Sequence, residues 1–136
     1  MQEIPHIMAL VLVIDDDPIV RSYVAVLLEA YDHLIIVAQD GIEGMAAFKS
    51  NQIDLVITDI VMPGKEGIET IREIRRLNLT VPILAVSGSH IEGRYGGYLE
   101  LAEALGASAT LAKPFTPDQL FAIVNRLLGV TPAVAA

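Results

Sequence analysis

The sequence predicts a doubly wound α/β fold, in which helices cover both faces of a five-stranded parallel sheet. Two patterns in the 136 residues lead to this prediction: short apolar runs recur five times, and segments with helical spacing separate them. Strands that alternate with helices form right-handed βαβ units around a parallel sheet. The length suits one domain, because two ordinary domains need a longer chain.

The five apolar runs have the length of short buried strands. They occupy residues 9–14, 33–38, 54–58, 81–87 and 109–112. Apolar runs of four to eight residues are typical of strands that are covered on both faces. We therefore expect each run to form a short buried strand of the sheet.

In the segments between and after the strands, apolar residues recur with the spacing of a helix. The apolar positions are Val20, Val24, Leu27 and Leu28; Ile42, Met45 and Phe48; Ile68, Ile71, Ile74 and Leu77; Tyr98, Leu101, Ala102 and Leu105; and Leu120, Phe121, Val124, Leu127 and Leu128. Asp17, directly before Pro18, is placed to cap the first helix. The stretch "TPDQ", residues 116–119, predicts a capping box at the last helix. The glycines of "MPGKEG", residues 62–67, are interpreted as turn glycines.

Composition limits the class of function. Seventeen acidic and nine basic residues give a net charge of -8, which argues against direct binding of nucleic acid or anionic membrane. The chain has no cysteine, and its apolar stretches are too short to span a bilayer. We expect a cytoplasmic protein with a domain at residues 8–130, an N-terminal extension at 1–7 and a C-terminal tail at 131–136.

Polar residues follow four of the five predicted strands. They are Asp15, Asp16 and Asp17 after the first strand, Asp59 after the third, Ser87 after the fourth and Lys113 after the fifth. Ligands of such sheets bind beyond the carboxyl ends of the strands. We therefore expect a cleft that contains these side chains, with Asp17 reserved for its helix cap.

The chemistry of these side chains suits a cation and a phosphoryl group. Asp15, Asp16 and Asp59 supply the oxygen ligands that Mg²⁺ prefers. Lys113 and Ser87 supply an ammonium and a hydroxyl that could hold phosphoryl oxygens during transfer. Asp59 is the expected nucleophile, because carboxylates form aspartyl phosphates when nearby cations stabilise the developing charge.

Four motifs resemble the receiver domain of bacterial two-component response regulators. They are "VLVIDDDP", "DLVITDIVMPGKEG", "LAVSGS" and "LGASATLAKPF", which follow in the family's order within residues 9–129. The resemblance implies a flavodoxin-like fold with sheet order 2-1-3-4-5. It also implies phosphorylation by a histidine kinase or a histidine phosphotransfer protein.

The resemblance also implies a role for individual residues. Asp59 matches the phosphoacceptor, and Asp15 and Asp16 match the acidic pair around Mg²⁺. The backbone carbonyl of Val61 matches a third metal contact. Ser87 matches the switch hydroxyl. Lys113 matches the family lysine, whose bond to the following proline is cis.

The expected function is that of a stand-alone response regulator. The domain would catalyse its own phosphorylation and dephosphorylation, and it would signal by binding a downstream protein when phosphorylated. Two features depart from the family: Thr110 stands where a tyrosine or phenylalanine switch is usual, and the stretch 87–100 is long and rich in glycine. In this family the residue two positions after the phosphoacceptor influences phosphate lifetime. That residue is Val61 here, and its apolar side chain predicts slow hydrolysis of the phosphoryl group.

Two other functions fit part of the sequence. Thr110 is compatible with a degenerate receiver that binds a partner without phosphorylation. A haloacid-dehalogenase-type phosphatase would use Asp15 as its nucleophile, since Asp15, Asp17 and Ile19 approximate its opening motif. That enzyme needs an acidic pair after its lysine, whereas residues 114–136 contain only Asp118.

Overall fold

The computed structural model describes residues 8–60, 66–88 and 98–130, and these residues alternate between strands and helices. The elements are β1 (Leu10–Ile14), α1 (Pro18–Glu29), β2 (Leu34–Ala38), α2 (Gly41–Ser50), β3 (Leu55–Asp59), α3 (Glu66–Leu77), β4 (Ile83–Gly88), α4 (Tyr98–Ala104), β5 (Ala109–Lys113) and α5 (Pro117–Leu127). Each strand begins and ends within two residues of its predicted bounds. The predicted extension and tail, and residues 89–97 of the glycine-rich stretch, lie outside the described residues.

The five strands form one parallel sheet in the order β2-β1-β3-β4-β5. This order confirms the doubly wound fold that the sequence predicted. The chain moves outward from β1 in one direction to β2 and then in the other direction through β3. The order therefore reverses between β1 and β3, which places their carboxyl ends at the position where such sheets bind ligands.

Two apolar layers hold the helices against the sheet. One layer lies between the sheet and α2, α3 and α4, and its buried members include Leu12, Ile14, Val56, Ile71, Ile74 and Ala102. The other lies between the sheet and α1 and α5, and its buried members include Val11, Val13, Ile57, Leu28, Leu120 and Val124. Successive strand residues alternate between the layers, as the two-residue period of a strand requires.

The helix starts agree with the sequence prediction. The carboxylate of Asp17 accepts a hydrogen bond of 2.9 Å from the backbone N–H of Ile19 and caps α1. At α5, the backbone N–H of Gln119 donates to the Thr116 hydroxyl at 3.2 Å. The backbone N–H of Thr116 donates to the Gln119 side chain at 2.9 Å. These contacts confirm the capping box.

Three apolar residues on the predicted buried faces of helices are instead exposed, namely Ile42, Leu77 and Leu101. Leu34 and Val37 of the predicted buried strand β2 are also exposed, because β2 lies at an edge of the sheet. In α2 the buried positions are Gly41, Gly44 and Met45, and Ile42 lies roughly a quarter turn from their centre. Leu77 is the last residue of α3, where the helix leaves the sheet. None of the described helices is both long and apolar enough to cross a membrane.

Arg75 forms hydrogen bonds near the amino ends of β4 and β5, at the edge of the sheet opposite to the carboxyl ends of the strands. Its guanidinium donates to the backbone carbonyls of Val81 at 2.7 Å, Gly106 at 2.8 Å and Asn78 at 3.2 Å. Burial lowers the pKa of Arg75 from its ordinary value. Because its partners are carbonyl oxygens of two different connections, this side chain ties the end of α3 to the turn after α4.

Candidate functional site

Three carboxylates meet at the carboxyl ends of β1 and β3. Asp15 and Asp59 are buried, whereas Asp16 is exposed. One oxygen from each of the three lies within 4.8 Å of the others. Asp15 and Asp16 follow the end of β1 directly and contribute to the cluster, whereas Asp17 turns toward α1 to cap it.

Lys113, at the end of β5, lies between two of these carboxylates. Its Nζ is 3.0 Å from Oδ2 of Asp15 and 3.1 Å from Oδ2 of Asp59. Burial alone lowers the pKa of Lys113, but the charges and hydrogen bonds of Asp59 and Asp15 outweigh it and raise the pKa above its ordinary value. Lys113 therefore stays charged at neutral pH and joins the two strand ends electrostatically.

The backbone around the carboxylates is also held in place. The guanidinium of Arg21, on α1, donates to the backbone carbonyl of Asp15 at 2.8 Å. The Asp17 N–H donates to Oδ1 of Asp15 at 2.9 Å. The buried hydroxyl of Thr58 donates to the backbone carbonyl of Asp59 at 3.0 Å. Neither Arg21 nor Thr58 was predicted to belong to the site, because each acts through a contact with the backbone of an aspartate.

The remaining predicted residues lie along β4 and β5. Ser87 is buried and follows Val86, the residue of β4 that pairs with Asp59. Thr110 is half-buried and pairs with Ala85, three pairs before the Gly88–Lys113 pair at the carboxyl ends of β4 and β5. The bond between Lys113 and Pro114 is cis, as the resemblance implied. Val61 lies outside the described residues.

The charge balance of the site favours a bound cation. Asp15, Asp16 and Asp59 bring three negative charges together, and Lys113 offsets one of them. Like charges this close repel one another, and a cation that binds between them removes the repulsion. Oxygen-only ligands of this kind suit hard metal ions. The cluster could therefore bind a metal ion.

Comparisons with known proteins agree with this geometry. A model of the response regulator receiver domain family matches residues 11–125. Transcription factor SKN7 of Candida albicans is 33% identical over 87% of this chain, which spans 20% of SKN7. The transcriptional regulatory protein CpxR of Klebsiella pneumoniae is 34% identical over 87% of the chain, which spans 48% of CpxR. The chain thus covers at most about half of the curated relatives it matches first.

Solved structures have the same fold over most of this chain. A response regulator receiver domain protein of Clostridium thermocellum aligns with a TM-score of 0.79 and 30% identity, covering 90% of this chain and 95% of that one. The chemotaxis response regulator CheY4 of Vibrio cholerae aligns with a TM-score of 0.77 and 29% identity, covering 90% of this chain and all of that one. The chain belongs to the response regulator receiver domain family of two-component systems.

Proposed function

We propose that this domain accepts a phosphoryl group on Asp59 from a histidine kinase or a histidine phosphotransfer protein. The observation that carries the proposal is the position of the Lys113 ammonium, within hydrogen-bond distance of both Asp59 and Asp15. A carboxylate at a strand end is common on its own. A buried carboxylate beside an ammonium and two further carboxylates forms a site at which a phosphoryl group can be both attacked and neutralised.

Transfer requires an attack by one Asp59 carboxylate oxygen on the phosphorus of the donor. A new P–O bond forms as the P–N bond to the donor histidine breaks, and the imidazole leaves with the electron pair of that bond. Lys113 Nζ remains beside the reacting carboxylate and can donate to a phosphoryl oxygen. The Ser87 hydroxyl can donate to another. These two groups therefore stabilise the charge of the transferred group.

Mg²⁺ is the metal ion that we assign to the acidic cluster. Asp15, Asp16 and Asp59 would hold it, together with the backbone carbonyl of Val61. The fit rests on the donor set, because three carboxylate oxygens within 4.8 Å suit a hard divalent cation that retains water ligands. When bound, Mg²⁺ neutralises charge on the phosphoryl oxygens.

The phosphorylated domain would signal by binding a downstream protein. Ser87 is the expected switch, because it lies at the end of β4 and its hydroxyl can turn toward a phosphoryl group on Asp59. Thr110 would replace the usual aromatic switch residue, with a smaller side chain on β5. We also propose that the domain removes its own phosphoryl group slowly, in the cytoplasm, and that residues 8–130 suffice for these activities.

Intact-protein mass after incubation with phosphoramidate tests the proposal. In this reaction the donor P–N bond breaks and ammonia leaves, so no partner protein is needed. We expect the wild type to gain one phosphoryl group with Mg²⁺ and none with EDTA. Asp59→Asn should gain none under either condition, because the amide is not a nucleophile toward phosphorus.

Two outcomes would contradict the proposal in different ways. No gain by the folded wild type would favour a receiver that binds its partner without phosphorylation. A gain that persists in Asp59→Asn would indicate another nucleophile, of which Asp15 is the one that the phosphatase alternative requires. The match to the response regulator receiver domain family over residues 11–125 argues against that alternative, because the phosphatase belongs to another family.

A further inference from the structure

Helix α3 touches the backbone of the proposed phosphoacceptor at Gly67. A Cβ atom built on Gly67 would lie 2.2 Å from the carbonyl oxygen of Asp59, 2.4 Å from Cα of Ile60 and 2.8 Å from its carbonyl carbon. All three are backbone atoms. The prediction that Gly67 is a turn glycine is wrong, because this residue is buried in the first turn of α3.

The close contact is possible because Gly67 has no side chain, and it does not depend on an unusual backbone angle. Gly67 has no positive φ, so an alanine could adopt its conformation. Ordinary van der Waals contact with a Cβ atom begins at 3.4 Å. A single methyl group would therefore force α3 and β3 apart by more than 1 Å, and no side-chain rotation could relieve the clash.

The same peptide is held from two other directions. The buried Thr58 hydroxyl donates to the Asp59 carbonyl at 3.0 Å. The next N–H, that of Ile60, donates to the carbonyl of Val86 in β4 at 3.0 Å. One Cα hydrogen of Gly67 points toward the same Asp59 oxygen, since it occupies the direction that the Cβ atom would take, and such C–H···O contacts are weakly favourable.

We propose that Gly67 is a positioning residue for the phosphoacceptor, with Thr58 as its partner on the same carbonyl oxygen. This inference rests on the proposed function of Asp59. Gly67 has no side chain with which to bind a phosphoryl group or a metal ion, so its role is indirect. It fixes the backbone from which the Asp59 side chain reaches Lys113 and the acidic cluster. Phosphoryl transfer depends on the alignment of the attacking oxygen, so a displacement of this backbone slows the reaction.

The test compares Gly67→Ala with Gly44→Ala, a matched control in α2. Gly44 is also a buried helical glycine, but the three atoms nearest to its added Cβ all belong to the side chain of Ile14, the closest at 2.5 Å, and none is a backbone atom. The measurement is the limiting phosphorylation rate with phosphoramidate at saturating Mg²⁺, beside the urea midpoint of each variant. We expect Gly67→Ala to lower the limiting rate by between tenfold and about a hundredfold. Gly44→Ala should retain the wild-type rate even where its urea midpoint falls as far.

Thr58→Val keeps the inference testable if Gly67→Ala does not fold. Valine matches threonine in shape and removes only the hydroxyl that reaches the Asp59 carbonyl, so we expect a several-fold slower limiting rate. If Gly67→Ala folds and is phosphorylated at the wild-type rate, the inference is overturned and the proposed function stays intact. If Gly67→Ala does not fold, a wild-type rate in Thr58→Val has the same meaning. Equal slowing in Gly44→Ala would also overturn the inference. A wild type that is not phosphorylated would overturn the proposed function and this inference together.

Discussion

Replacing Lys113 by methionine removes the ammonium that lies between Asp15 and Asp59. Methionine keeps most of the apolar stem, so the change is mainly electrostatic. Lys113 is a positive charge within hydrogen-bond distance of both buried carboxylates. The variant therefore leaves two buried negative charges beside Asp16, with nothing from β5 to offset them.

The expected loss of stability follows from the geometry. At 3.0 and 3.1 Å each ion pair has a Coulomb energy of about 5 kcal/mol with an effective dielectric constant of 20. Desolvation of the ammonium offsets part of this energy, and removal of one partner from a buried pair costs about 3 to 5 kcal/mol. For a domain of this size, the melting temperature should fall by roughly 10 to 20 °C.

Thermal unfolding in EDTA and in Mg²⁺ measures the effect, with Lys49→Met as the control. Lys49 is an exposed lysine on α2, so its replacement should leave the melting temperature near that of the wild type. Mg²⁺ should raise the melting temperature of Lys113→Met more than that of the wild type. The reason is that the cation then replaces the lost ammonium, and a ligand at about 100 times its Kd adds about 2.7 kcal/mol.

Two results would refute this reasoning. If Lys113→Met melts with the wild type in EDTA, the ammonium contributes no net stabilisation to the two carboxylates. If Mg²⁺ raises both melting temperatures equally, the lysine and the metal ion do not neutralise the same charges. The second result would also weaken the assignment of Mg²⁺ to this cluster.

Three further predictions concern other parts of the molecule. Asp16→Asn should raise the free energy of unfolding in EDTA by about 1 kcal/mol, because it removes a charge within 4.8 Å of two others, and urea unfolding would detect the change. Arg75→Ala should lower that free energy by about 2 to 3 kcal/mol through the loss of charged hydrogen bonds, with an unchanged phosphorylation rate per folded molecule. Val61→Asn should shorten the lifetime of phosphorylated protein, followed by mass after donor removal, because asparagine can orient a water; no acceleration would contradict the role given to Val61.

The positions of the strands and the members of the site could be predicted because both depend on local sequence. Parallel strands that are buried on both faces read as continuous apolar runs. The carboxyl ends of such strands lie at one edge, so residues that follow different runs must converge. Asp15, Asp16, Asp59 and Lys113 converge in this way, as their positions after three different runs predict. The caps at Asp17 and Thr116 were predictable for a similar reason, since the capping side chain and its N–H partner are close in the chain.

Features that depend on how a helix packs against the sheet could not be predicted in this way. Gly67 reads as one more glycine in a turn-forming stretch, and only the packing of α3 on β3 shows that its hydrogen faces Asp59. Arg21 is an ordinary helical arginine until α1 brings it to the carbonyl of Asp15. Ile42 has the spacing of a buried residue. A small rotation of α2 about its axis nevertheless decides whether a residue at the margin of the apolar face is covered by the sheet.

The site carries an excess of negative charge. This excess affects both the stability of the domain and its proposed binding of a metal ion. Packing alone would make removal of any side chain at this edge of the sheet destabilising. Electrostatics instead predicts opposite signs for two neighbours: loss of Lys113 destabilises the metal-free domain, whereas loss of the charge on Asp16 stabilises it. Mg²⁺ should reduce both effects, because it binds the folded cluster and neutralises the same charges. A receiver that folds despite this repulsion retains, in the folded state, the negative charge that would attract a cation.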